Sequence, residues 1–168
     1  MFAIGMRKCP GGLMVAVLLL ISASVPAQSK KELNAMFVQA ESHYLFEEYE
    51  LANPLYLSIL SYQPDNCNIL YKAGYCYLNI PDEKEKAIEF LEKAVKNASH
   101  DAKSESFREK RAPLDAYFSL AQAYMVNNEL EKAINTFQLF QKLVKESPMK
   151  GEMQNMEFVD QQIKACKN

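Results

Sequence analysis

Residues 72–95 read KAGYCYLNIPDEKEKAIEFLEKAV. Two runs of helical spacing flank a loop at Pro81 and Asp82, and each run alternates small and bulky residues. Ala73, Gly74 and Tyr77 mark the first run; Ala87, Leu91 and Ala94 mark the second. The alternation has a physical reading. Two antiparallel helices approach closely only where a small side chain on one receives a large one from the other. Gly74 and Ala87 are then the holes, and Tyr77 and Leu91 the knobs.

The pattern recurs on both sides. Upstream lies AMFVQAESHYLFEEYELANPLYLSILSYQPDN (35–66), downstream LDAYFSLAQAYMVNNELEKAINTFQLFQK (114–142). Set in register, a small residue falls at Ala40, Gly74 and Ala121, and three positions later come His43, Tyr77 and Tyr124. After a polar loop a small residue returns at Ala52, Ala87 and Ala133, followed four positions on by Tyr56, Leu91 and Phe137. A single helix pair cannot bury its apolar face alone, so such units stack and each covers the next. Lys, Glu, Ala and Leu dominate after residue 30, glycine is scarce and tryptophan absent, which favours helix over sheet.

This spacing resembles the tetratricopeptide repeat (TPR), whose period is about 34 residues. The resemblance implies an all-α helix-turn-helix solenoid over residues 28–168, with units at about 33–66, 67–100 and 114–147. Departures are His43 where tyrosine is usual, an extra residue near Ile80-Pro81, Phe140 where a small residue is usual, and Pro54 early in a helix. A proline about one turn in is expected to cause no more than a local kink. Between the second and third units, residues 101–113 form a charged insertion whose one large apolar residue is Phe107; a helical turn is expected around Ser104–Arg111. After Ser147-Pro148, the spacing of Met153, Met156, Val159 and Ile163 predicts an amphipathic capping helix over 149–167.

Residues 1–27 read differently. Arg7 and Lys8 precede the apolar run LMVAVLLLI (13–21), and Val25-Pro26-Ala27 supplies small residues ahead of Gln28. This is the pattern of a cleaved secretory signal peptide. The apolar stretch is shorter than the ~20 residues of a membrane span, so no span is expected after cleavage. Cys9 lies before the apolar core, which argues against a lipid anchor. Cleavage removes two positive charges and no negative ones, moving the formal charge from −2 to −4. Nothing in that balance favours nucleic acid as a partner.

Cys67, Cys76 and Cys166 remain, an odd number for an exported chain. Cys67 and Cys76 lie nine residues apart on one predicted helix, roughly 13 Å at 1.5 Å per residue, too far to bridge. They read as small buried hydrophobes. There is no CxxC, no Cys/His cluster and no glycine-rich phosphate loop outside the leader. His43 occupies a packing position and His100 a charged loop. No catalytic residue, metal site or cofactor is assigned. The carboxylates of EEYE (47–50) and DEKEKAIEFLEK (82–93) read as solvated helix faces.

In TPR proteins the first helix of each unit lines a concave groove. The resemblance carries that role to Asn34, Phe37, Glu41 and Tyr44, then Asn68, Tyr71, Tyr75 and Leu78, then Asp115, Phe118, Gln122 and Met125. Aromatics with amide neighbours suit an extended peptide or a helix. The clamp that some TPR proteins use for a C-terminal carboxylate is missing, because its positions hold Phe37, Glu41, Lys72, Asp115 and Ser119. Small and matching apolar positions, including Ala94, are assigned to packing between helices.

A closer likeness concerns the leader, the insertion before AP-x-DA-x-Y and the closing VDQQIKACKN. Together they resemble the N-terminal region of Gram-negative envelope proteins that continue into a β-propeller and an OmpA-like domain. Some of those act in protein secretion across the outer membrane. Neither later domain is present in this sequence, so roles resting on them do not transfer. The resemblance implies an exported, non-catalytic interaction module that binds a protein or peptide of the cell envelope in its groove. The alternative is a self-assembling structural component that uses its convex face or terminal helix.

Overall fold

The computed structural model describes residues 29–146 and 156–167. The leader, Ser147-Pro148, the first residues of the expected capping helix and Asn168 lie outside them. Six helices follow in pairs: α1 (Lys30–Leu45) with α2 (Tyr49–Tyr62), α3 (Cys67–Asn79) with α4 (Lys86–Ala94), and α5 (Asp115–Val126) with α6 (Leu130–Glu146). A further helix, α7 (Met156–Ala165), closes the array. Each helix packs on the next in sequence, and α3 also meets α5, so that one apolar core runs from Phe37 to Cys166.

Local chemistry sets the helix ends. Ser29 and Glu32 form a reciprocal capping box at the start of α1, with Ser29 N donating to Glu32 Oε2 at 2.8 Å. Asn66 Oδ1 accepts from Ile69 N at 3.2 Å and starts α3. Pro54 sits inside α2, and the helix runs through it.

The turn within each pair has one residue in the left-handed region: Glu47, Asp82 and Asn128, all at φ 61°. Each stands five residues before the small residue of the following helix, Ala52, Ala87 and Ala133. The extra residue of the second unit therefore lies before the turn, where Ile80 is extended at φ −84°, ψ 125°. Left-handed backbone suits asparagine and costs a long side chain about 1 kcal/mol. Replacing the exposed Glu47 by glycine is expected to raise the melting temperature by a few degrees. An unchanged or lower value in a thermal scan would count against a strained turn.

Within the second pair, Leu91 of α4 seats on Gly74 of α3. A Cβ added to Gly74 would lie 2.6 Å from Leu91 Cγ and 2.9 Å from Cδ2. Ala40, Ala52, Ala87, Ala94, Ala121 and Ala133 are fully buried, as are Tyr56 and Phe137; Tyr77 and Tyr124 are nearly so. Phe140 is buried, its ring 5.7 Å from that of Phe118 on α5.

The insertion forms no helical turn. Successive tight turns join Ser106 N to Lys103 O at 2.9 Å and Glu109 N to Ser106 O at 3.0 Å. Glu109 takes the backbone N–H groups of Lys103, Lys110 and Arg111, which draws them out of any helical ladder. A two-residue parallel pairing of Ala98–Ser99 with Ala112–Pro113 ties the ends together. Pro113 thus stands in this pairing, and α5 begins two residues later.

Candidate partner-binding groove

Helices α1, α3 and α5 carry the twelve groove positions that the resemblance assigns. They do not present them equally. Tyr44 of α1 is half-buried and lies 5.5 Å from Tyr75 of α3, ring to ring. Tyr49, at the start of α2, stands edge-on to both, 5.9 Å from each. Tyr71 adjoins Tyr75 at 6.3 Å. Four tyrosines from three helices therefore form one aromatic cluster, with Tyr44, Tyr49 and Tyr75 at its surface and Tyr71 buried. Burial pushes the Tyr44 and Tyr71 hydroxyls well above their ordinary range and raises Tyr49 to about 12. All three remain protonated hydrogen-bonding groups at neutral pH.

Below this surface lies an ion pair. Lys72 Nζ reaches Glu41 Oε2 at 2.8 Å and sits 4.5 Å from the centroid of the Tyr44 ring. Tyr56 donates its hydroxyl proton to the other Glu41 oxygen. Side-chain exposure is 6% for Lys72 and 15% for Glu41, so the pair links the first two units from inside. Glu41 is thereby committed to structure, with little left for a partner. His43 is occupied as well, its Nδ1 lying 2.7 Å from Glu48 Oε2.

Four expected groove residues are buried: Phe37, Asn68, Tyr71 and Leu78. The insertion covers two of them. The Phe107 ring lies 5.8 Å from that of Phe37. Asn68 Nδ2 donates to Ser104 O at 2.9 Å, and Asn68 N to Lys110 O at 3.3 Å. One end of the groove is thus closed by the chain itself. At the other end α7 brings Phe158 within 6.0 Å of Phe118, which also meets Phe137 at 5.5 Å. Gln122 and Met125 are half-buried; Asn34 and Asp115 are exposed. Desolvation nevertheless raises the Asp115 carboxyl above its ordinary value. Tyr44, Tyr75, Phe118, Gln122 and Met125 keep part of their surface accessible.

Sequence reasoning passed over Tyr49 and the covering role of the insertion. The one residue that could have marked the second is Phe107, the single large apolar side chain of the insertion, whose ring lies against Phe37.

Among the described residues, no group of three or more His, Cys, Asp or Glu side chains could hold a metal ion, and no helix is long and apolar enough to cross a membrane. Cys67, Cys76 and Cys166 are unpaired and buried; burial pushes the Cys76 thiol up to about 12 and raises the other two. None of the three has the low-pKa environment of a reactive thiol.

Residues 69–100 and 115–148 match the family profile described as tetratricopeptide repeat. No curated protein matches the chain. Solved structures do. The TPR2B-domain:pHsp70 complex of yeast Sti1 aligns at 14% identity and TM-score 0.61, covering 80% of this chain and 95% of that one. The type III secretion translocator chaperone SycD of Yersinia enterocolitica aligns at 18% identity and TM-score 0.64, covering 86% and 90%. The same chaperone in complex with a peptide of the translocator YopD aligns at 17% and 0.60, covering 83% and 95%. Such identities speak to fold alone. The chain therefore carries tetratricopeptide repeats and folds as a TPR-type helical solenoid.

Proposed function

We propose that the protein is a non-catalytic interaction module that holds a polypeptide segment of a partner along its inner helices. The observation that carries this reading is the half-buried aromatic cluster of Tyr44, Tyr49 and Tyr75. Rigid aromatic rings provide large contact area at small entropic cost and are enriched where binding energy concentrates. Support comes from the similar folds: SycD was solved with a YopD peptide, and the Sti1 domain with pHsp70. The leader pattern of residues 1–27 and the likeness to envelope proteins extend the reading to an exported component of a Gram-negative envelope, with a secretion-associated complex as its setting.

Tyr75→Ala tests the groove. The ring is half-buried on α3, so helicity by circular dichroism should persist. Recovery of a cross-linked envelope partner should fall about tenfold, the equivalent of ~1.4 kcal/mol. Equal recovery by wild type and variant would remove the groove from the function.

A second reading has its own observation. Val38, Leu45, Phe46 and Leu51 of the first pair are exposed, by 55–76% of their surface, at the end of the array opposite α7. Large exposed apolar side chains gathered on one helix pair favour self-association there. Sedimentation that shifts with concentration, in the absence of any partner, would support self-assembly.

A further inference from the structure

Four cations meet around one cavity with no anion among them, in a chain whose formal charge is −2. Lys30 and Lys31 come from the first turn of α1, and Arg108 and Lys110 from the insertion. The space between them is about 690 Å³. Asn34, Gln63 and the Phe107 ring complete its wall. Among the described residues none of the four cations has an ion-pair partner within 4.0 Å.

Two nearby acids are engaged elsewhere. Glu32 closes the capping box with Ser29. Glu109 faces Arg111, whose Nε and Nη2 donate to it at 3.0 and 2.9 Å, and it also accepts three backbone N–H groups. Like charges gathered in a cleft create a positive potential that an incoming anion relieves.

Position narrows the ligand. Asn34 belongs to the first-unit row of groove positions, and Phe107 rests on Phe37, so the cavity adjoins the end of the groove that the insertion closes. Its size lies within the range of small-ligand sites, about 300–1,000 Å³. Cations spread over two segments suit several carboxylates spaced along a chain better than one compact anion. We infer that this cleft takes acidic side chains of the polypeptide lying in the groove. The inference rests on the groove reading, and it gives that partner a composition: an acidic run beside an apolar or aromatic segment.

The test uses fluorescein-labelled hexaglutamate, with hexaglutamine as control, in fluorescence anisotropy. Hexaglutamate should bind at least tenfold more tightly and weaken steeply as salt rises. Lys31→Glu/Lys110→Glu should cost tenfold or more, whereas Lys96→Glu/Lys145→Glu, an equal charge change elsewhere, should cost little. Equal loss in both variants would reduce the effect to overall charge and overturn the site. Displacement by inorganic phosphate, beyond that by sodium chloride of equal ionic strength, would make it a phosphate site and overturn the acidic-polypeptide assignment. Tyr75→Ala separates the two readings. If it retains hexaglutamate binding but also retains the envelope partner, the groove fails and the cleft stands. If hexaglutamate never binds while Tyr75→Ala loses the partner, the cleft alone fails.

Discussion

Leu91→Ala is expected to cost about 2–5 kcal/mol, measured as a lower midpoint in urea unfolding. That is a large part of the 5–15 kcal/mol typical of a domain. Leu91 is fully buried and its branched end lies over Gly74, where no side chain fills the gap that truncation leaves. The reverse change is costly for the opposite reason. Gly74→Ala forces a methyl to 2.6 Å from Leu91 Cγ, and Leu91 N lies only 3.3 Å from the same point. Overpacking of this kind typically costs 1–3 kcal/mol. The two effects share one volume, so they should not add. In the double variant the new methyl occupies space that Leu91 vacated, and the total loss should fall below the sum of the singles. Strict additivity would mean that the helices do not meet at this point.

Glu41→Ala carries the second large expected effect. It strips the buried Lys72 ammonium of its only ion-pair partner among the described residues and leaves the Tyr56 hydroxyl without its acceptor. Breaking a buried pair from one side costs about 3–5 kcal/mol, because a charge remains in a poor solvent. The Tyr44 ring, 4.5 Å from the ammonium, offsets part of this and puts the expected loss toward the lower end. Replacing both partners, as Glu41→Leu/Lys72→Met, should recover most of the loss, since no uncompensated charge is left. A single-variant loss below about 1 kcal/mol would show that water reaches Lys72 and that the link between the first two units is weaker than its geometry.

The fold was legible because its rule is local and periodic. Gly74, Tyr77, Ala87 and Leu91 recur as residue types at fixed offsets in three stretches, and packing between neighbouring helices demands little else. Even the left-handed turn residues keep step with the pattern once the extra residue near Ile80 is allowed for. The groove was legible only in outline. Its positions follow from which helix of each pair lies inside, but their exposure depends on contacts between segments far apart in sequence. Phe37 meets Phe107 across 70 residues, and Phe118 meets Phe158 across 40. No periodicity encodes those meetings. Lys72 enters the sequence reading only as the occupant of a clamp position; the approach of α1 to α3 is what supplies Glu41 and the Tyr44 ring. The insertion misled for a further reason. Its composition permits a helical turn, but the Glu109 carboxylate captures three backbone donors and folds the segment into tight turns instead.

Site-specific photo-cross-linking in living cells tests the central claim most directly. A photoreactive phenylalanine analogue would replace Tyr75 in the groove or, in a parallel strain, the exposed Leu139 on the outer helix α6. The account predicts one discrete protein adduct from position 75 and none from position 139. An adduct from position 139 with none from position 75 would move the interface to the outer face and contradict the groove.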